Sequence, residues 1–183
     1  MTLSSDLQLQ ELMASISAGA GDDIALVDRA LAGFPQDPRL HFLRGSLLAG
    51  IGRPIEALSS LKKAVALAPD FAIARFQLGF FQLTSGEATE ALSTWGPLAL
   101  LPEGHYLRSF VGGLTYLIRD EFPHAIEHLQ LGIAANDENP PLNRDMQLII
   151  DRIAQIGTAA ERTDSPGSAT SFLLGQFSAS QPN

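Results

Sequence analysis

Residues 38–69, PRLHFLRGSLLAGIGRPIEALSSLKKAVALAP, decide the fold. An apolar-rich run over 38–51 meets the break Gly52-Arg53-Pro54, and a second run follows to residue 67. Glycine takes the left-handed backbone that ends a helix at least cost. Proline is harmless in the first turn of the next helix, where its missing N–H has no partner to lose. The stretch therefore predicts two helices joined by a tight turn, an antiparallel pair closed by Pro69.

The pattern recurs outward from this stretch. Gly45, Gly79 and Gly113 stand 34 residues apart, and so do Ala57, Ala91 and Ala125. Leu61, Trp95 and Leu129 keep the same register, and Gly52 and Gly86 are matched by Asp120 in the third slot. A fixed period of this length marks a stacked repeat, each unit too small to bury its own apolar face. The predicted first helices run over 38–51, 72–85 and 105–119, and the second over 54–67, 87–100 and 122–135. Small residues at fixed positions let paired helices approach closely, so Gly45 is expected against the helix of Ala57, and Gly79 against that of Ala91. Pro97 interrupts the second helix of the middle unit and predicts a kink or a restart there.

These residues resemble the tetratricopeptide repeat. The first unit has the small Gly45, the turn Gly52, Ala57, Leu61, Ala64 and the closing Pro69; the second keeps Gly79, Gly86, Ala91 and Trp95; the third keeps Gly113, Tyr116, Ala125 and Leu129. Ala30, Leu31 and Pro35 look like an earlier half-unit. The resemblance covers roughly residues 22–137 and implies an all-α, right-handed solenoid of antiparallel helix pairs. Departures occur where the family has large apolar residues: His41, Arg75 and Ser109 at one position, Arg44 and Gly112 at the one before the repeat glycine. Pro102 also closes its unit one residue early.

Around the core repeats, about 38–137, residues 6–18 form a helix with Leu9, Leu12, Met13 and Ile16 on one side. Asp22 and Asp23 begin the next helix, ending near Phe34-Pro35. Residues 141–157 form a capping helix with Leu142, Met146, Ile149, Ile150 and Ile153 in one stripe. The helical domain is thus placed at 1–157. Residues 158–183 are expected as a flexible polar tail carrying a short apolar segment, Phe172, Leu173, Leu174 and Phe177.

Composition narrows the function. The 183 residues are 45% hydrophobic and carry a formal net charge of −8, and Lys62-Lys63 is the only adjacent basic pair. Phosphate contacts need a basic patch, so nucleic acid and anionic membrane are disfavoured as partners. With no cysteine there is no disulfide, thiolate site or Cys nucleophile, which suits a reducing, cytoplasmic setting. No apolar run approaches bilayer length, and the first ten residues do not read as a signal peptide.

The family resemblance implies a concave groove lined by the first helices. Transferred position by position, the lining is Arg39, Phe42, Ser46 and Ala49, then Ile73, Phe76, Phe80 and Leu83, then Leu107, Phe110, Leu114 and Leu117. Arg39 is its one cation, so capture of a C-terminal carboxylate is not expected; an apolar peptide or amphipathic helix suits it better. The same residues equally suit a buried core, because a helix inside a stack is covered on several sides.

One pattern resembles catalytic chemistry: His124-Ala125-Ile126-Glu127-His128 spells H-x-x-E-H, two imidazoles one turn apart with a carboxylate between them. Ala125 and Leu129 are the packing residues of that helix, which turns His124 and His128 to solvent, and no third ligand is in view. The protein is expected to carry no stoichiometric zinc, no cofactor and no catalytic residue. The reading is an adaptor or chaperone-like module for an apolar segment of another protein. A homo-oligomer built through the N-terminal helix or the tail is the alternative. Size, charge and repeat number also resemble the class II chaperones of bacterial type III secretion.

Overall fold

Short polar side chains start the first three helices. Ser5 accepts from the Gln8 amide while the Gln8 side chain accepts from the Ser5 amide, a reciprocal box opening α1 (Asp6–Ser17). Asp22 accepts from Ala25 N to open α2 (Asp23–Gly33), and Asp37 accepts from Arg39 N to open α3 (Pro38–Gly50). Pro38 sits in the first turn of α3. The structure, a computed structural model, describes residues 3–160 apart from 20, and the described residues are all-helical. The tail segment 172–177 lies outside them.

Then come α4 (Pro54–Leu67), α5 (Ala72–Thr84), α6 (Ala88–Trp95), a 3₁₀ turn (Gly96–Leu100), α7 (Tyr106–Ile118), α8 (Phe122–Ala135) and α9 (Pro140–Ala160). The three helix pairs fall where the 34-residue period puts them, each to within a few residues. Pro97 acts as expected: α6 stops at Trp95 and the chain continues in the tighter 3₁₀ form. The turns inside the pairs share one device. Gly52, Gly86 and Asp120 adopt positive φ (71°, 84° and 58°), and Asp120 is the one non-glycine residue to do so among the described residues. A short polar side chain tolerates that region better than most.

The chain divides into two compact units, one running to Leu78 and one starting at Gly79. In the first, α3 crosses α4 at Gly45: a Cβ there would stand 2.8 Å from Leu61 Cγ. Val27, Leu40, Leu48, Ala57, Leu61 and Ala64 are fully buried. Each such Leu or Val contributes roughly 1.5–3 kcal/mol over leaving it exposed.

In the second unit the crossing recurs twice. A Cβ at Gly79 would overlap the Trp95 indole, and one at Gly113 would stand 2.7 Å from Leu129 Cγ. Trp95, Phe110, Leu114, Leu129 and Met146 form its core. Helix α9 lies against α8 and buries Leu142, Met146, Ile149, Ile150 and Ile153, the stripe read from the sequence. Buried Asn136 joins the two helices: its amide donates to Asn139 O (2.9 Å) and Asn143 Oδ1 (2.7 Å), and Asn143 donates back to Asn136 O (2.9 Å). A buried amide left unpaired would cost about 1–3 kcal/mol, so this closed set is what permits a polar residue there.

Candidate partner-binding site

The first helices carry the twelve lining positions. In α3, Phe42 is partly exposed and meets Phe71 edge-on, ring centres 5.3 Å apart. Ser46 and Ala49 are also partly exposed. On α5, Ile73 and Phe80 are partly exposed, whereas Phe76 and Leu83 have no accessible surface. On α7, Leu107, Phe110, Leu114 and Leu117 are all buried to 1% exposure or less. Their spacing puts them in one stripe along the helix. Phe110 owes part of its burial to Gly132 of α8, where a Cβ would overlap the ring. Gly132 occupies the slot of Ala64 and Leu98 in the 34-residue register, a signal present in the sequence and overlooked there.

Arg39 is held within its own unit. Its guanidinium donates to Asp37 Oδ1 (3.0 Å) and Oδ2 (2.8 Å), to Asp6 Oδ1 (2.7 Å) and to Ser4 O. Asp37, fully buried at its side chain, also accepts from the Ser4 amide and hydroxyl. Burial alone would raise the Asp37 carboxyl; hydrogen bonds from Arg39 and Ser4 outweigh it and hold the group well below the usual carboxylate range. Asp37 in turn raises the already high value of Arg39. This clamp ties the segment before α1 to the start of α3.

The departures from the repeat pattern are explained by their contacts. His41 Nε2 stands 2.9 Å from Pro35 O, and Arg75 NH2 donates to Pro69 O at 2.7 Å, each reaching back six residues to the turn before its own helix. In the third unit Arg108 plays a similar part, reaching back seven residues to donate to Leu101 O at 3.0 Å. Arg44 donates to Asp28 Oδ1 (2.7 Å) and Ser60 Oγ (2.9 Å). Gly112, at the same register position, leaves room for His128: a Cβ there would stand 2.8 Å from His128 Nδ1.

That last contact bears on H-x-x-E-H. His124 is turned to solvent, its side chain 60% exposed, with Glu121 3.7 Å away. His128 is not: it is half-buried over Gly112, because glycine there opens the space. Both imidazoles pack on the Tyr116 ring, with centres 5.2 and 5.0 Å from it. Among the described residues no three His, Cys, Asp or Glu side chains gather as a metal site. His105 accepts from Leu107 N through Nδ1 (3.1 Å) and so caps α7. No described helix is long and apolar enough to cross a membrane.

Two solved structures share this architecture. One is "MamA 41-end from Desulfovibrio magneticus RS-1", at a TM-score of 0.56 and 16% identity over 96% of each chain. The other is "MamA RS-1 ArsTM double mutant", at 0.56 and 18% identity over 96% of this chain and 94% of that one. The chain has a tetratricopeptide-like fold. At such identities the likeness is one of fold. No protein-family model and no curated protein matches the sequence.

Proposed function

We propose that this chain is a non-catalytic binding module that holds an apolar segment of another polypeptide against the first helices of its helix pairs. The observation that carries the reading is the set of apolar lining residues left partly exposed: Phe42 and Ile73 in the unit ending at Leu78, and Phe80 in the unit starting at Gly79. A partner helix or extended peptide with apolar residues at regular spacing fits such a surface. In this reading Phe42, Ser46, Ile73 and Phe80 touch the partner directly. Phe76, Leu83, Phe110, Leu114 and Leu117 are buried and support the lining from within the core. Arg39 is committed to Asp37 and Asp6 and contributes shape rather than a charge for a carboxylate. A reducing, cytoplasmic setting goes with the reading through the absence of cysteine.

The test is affinity capture from an extract of the source cell, using the wild type, Phe80→Asp and Ile55→Asp. Circular dichroism first establishes that each is folded. Ile55 is 84% exposed at the start of α4 and serves as the control. A polypeptide captured by the wild type and Ile55→Asp but lost with Phe80→Asp supports the reading. Equal capture by all three refutes it.

A specific observation favours self-assembly as a second reading. Helix α1 buries no residue fully, and it leaves Leu7 65% and Met13 52% exposed. Light scattering across a concentration series separates the two: a mass that rises with concentration, and falls in Leu7→Asp/Met13→Asp, belongs to the assembly reading.

A further inference from the structure

Helix α1 stands where the repeat puts the first helix of one more unit. Moving α3, Pro38–Gly50, back by the 34-residue period lands on 4–16, and α1 is Asp6–Ser17. The same shift takes Leu61 of α4 to Val27 of α2, and both are fully buried. The slots of the close crossing are filled differently. Glu11 stands in the slot of Gly45, and Asp23 in that of Ala57. Glycine and alanine let α3 and α4 meet closely; two carboxylates resist being shut into the same crossing. Glu11 is turned to solvent, and α1 lies against α2 with no residue of its own fully buried. One oxygen of Asp23, Oδ1, is nonetheless shut off from water and accepts no hydrogen bond, an unfavourable state for a carboxyl.

The two ends of α1 are held differently. After its last turn Gly19 takes φ of 64°, and nothing lies within 4 Å of an added Cβ at Gly19 or Gly21. Backbone of this kind, with no packing upon it, turns easily. Before its first turn, Ser4 donates to Asp37 through its amide (3.0 Å) and its hydroxyl, and Arg39 donates to Asp6 and to Ser4 O. Parting these contacts leaves no buried charge alone. Asp37 and Arg39 stay bonded to each other, and Asp37 still caps α3.

We infer that α1 is a hinged arm: it lifts off α2 about Gly19 and Gly21, with Ser4 and Asp6 as its catch, while α2, α3 and α4 stay folded. The unpaired Asp23 oxygen favours the open arm, because water then reaches the crossing. Lifting bares Leu9, Leu12 and Ile16, which are half-buried in the closed arm. A free helix of 12 residues is marginal in water, so the open arm melts or lays its apolar side on another surface.

The chain has no cysteine, so Gln10→Cys/Lys63→Cys, at exposed positions of α1 and α4, takes two nitroxide labels. Pulsed electron resonance then gives the distribution of distances between them. The arm predicts a narrow short component and a broad longer one. Ser4→Ala/Asp6→Ala weakens the catch without touching the Asp37–Arg39 pair, and is expected to enlarge the broad component at least about twofold. Asp23→Ala is expected to shrink it. In Ser4→Ala/Asp6→Ala the amides of α3 and α4 keep their protection from hydrogen exchange. A single narrow component that neither variant changes overturns the inference. So does equal loss of protection from α1 to α4, which makes α1 part of one cooperative core. The arm stands without the assembly reading: a mass constant with concentration in these variants removes that reading and leaves the arm. A mass that rises more steeply once the catch is weakened makes the open arm the form that assembles.

Discussion

At the scale of single residues, glycine does two different jobs here, and substitution separates them. Gly79 is a packing glycine: its missing Cβ is where the Trp95 indole lies. Gly79→Ala forces the indole or the backbone to shift, at a cost on the order of 1–3 kcal/mol, and Gly79→Leu costs more. Gly86 is a conformational glycine, with φ of 84° and nothing within 4 Å of an added Cβ. Gly86→Ala meets no clash and loses about 1 kcal/mol through backbone strain alone. Urea unfolding of both variants checks the contrast; equal losses would mean that the Gly79–Trp95 contact is softer than described. The sequence revealed the packing glycines because they recur with their partners. Gly112 and Gly132 were harder to read: their register slots were visible, but each replaces a larger residue of the pattern to admit one particular ring, His128 or Phe110, which the period does not name.

The Asp37 carboxyl gives a pH prediction at the same scale. A carboxyl held below its unfolded value, near 3.9, stabilises the fold at pH above that value. The contribution is lost as pH falls through the native value. Wild type is therefore expected to lose melting temperature progressively below about pH 4. Asp37→Asn starts lower at neutral pH, by on the order of 2 kcal/mol for a lost charged hydrogen-bond set. It also has a flatter profile over the acid range. Parallel profiles for the two proteins would remove Asp37 as the titrating group.

At the scale of elements, α1 stands apart from the rest. Its apolar side, read in the sequence as Leu9, Leu12, Met13 and Ile16, is only partly covered, and Met13 is among the exposed residues. Periodicity announces an amphipathic helix but not how fully a neighbour covers it. What holds the chain just before α1 is the polar clamp of Ser4, Asp6, Asp37 and Arg39. The sequence placed Arg39 in a binding surface because the family pattern assigns positions, not partners. The partner, Asp37, is also the helix cap, and Asp-Pro-Arg at a helix start was the available hint. Arg39→Met is expected to speed hydrogen exchange in α1 while α3 and α4 keep their protection. Uniform loss across the unit would show that the clamp supports the whole core rather than one helix. The helix pairs themselves were legible to within a few residues, because period, turn glycine and first-turn proline all point the same way.

At the scale of the whole molecule, the sequence carried the architecture further than the function. The all-helical, tetratricopeptide-like fold follows from residues that must pack on one another every 34 positions. A binding surface imposes no such internal consistency. Phe76 and Phe110 look the same in sequence whether they face a partner or a neighbouring helix, and both are fully buried. The partly exposed Phe42, Ile73 and Phe80 are the positions where a partner would be felt. The acidic net charge, −8, makes any apolar partner that is also basic arrive faster at low salt. Affinity built on these apolar positions is expected to change little between low and physiological salt, whereas the association rate falls; stopped-flow binding in two buffers reads both.

The most direct test of the central claim is site-specific photocrosslinking in the source cell, with a photoreactive phenylalanine analogue in place of Phe80 and, separately, of Ile55. The account predicts one dominant foreign polypeptide joined through an apolar segment at position 80 and absent at position 55. No foreign polypeptide at position 80, or the same set at both positions, would contradict it.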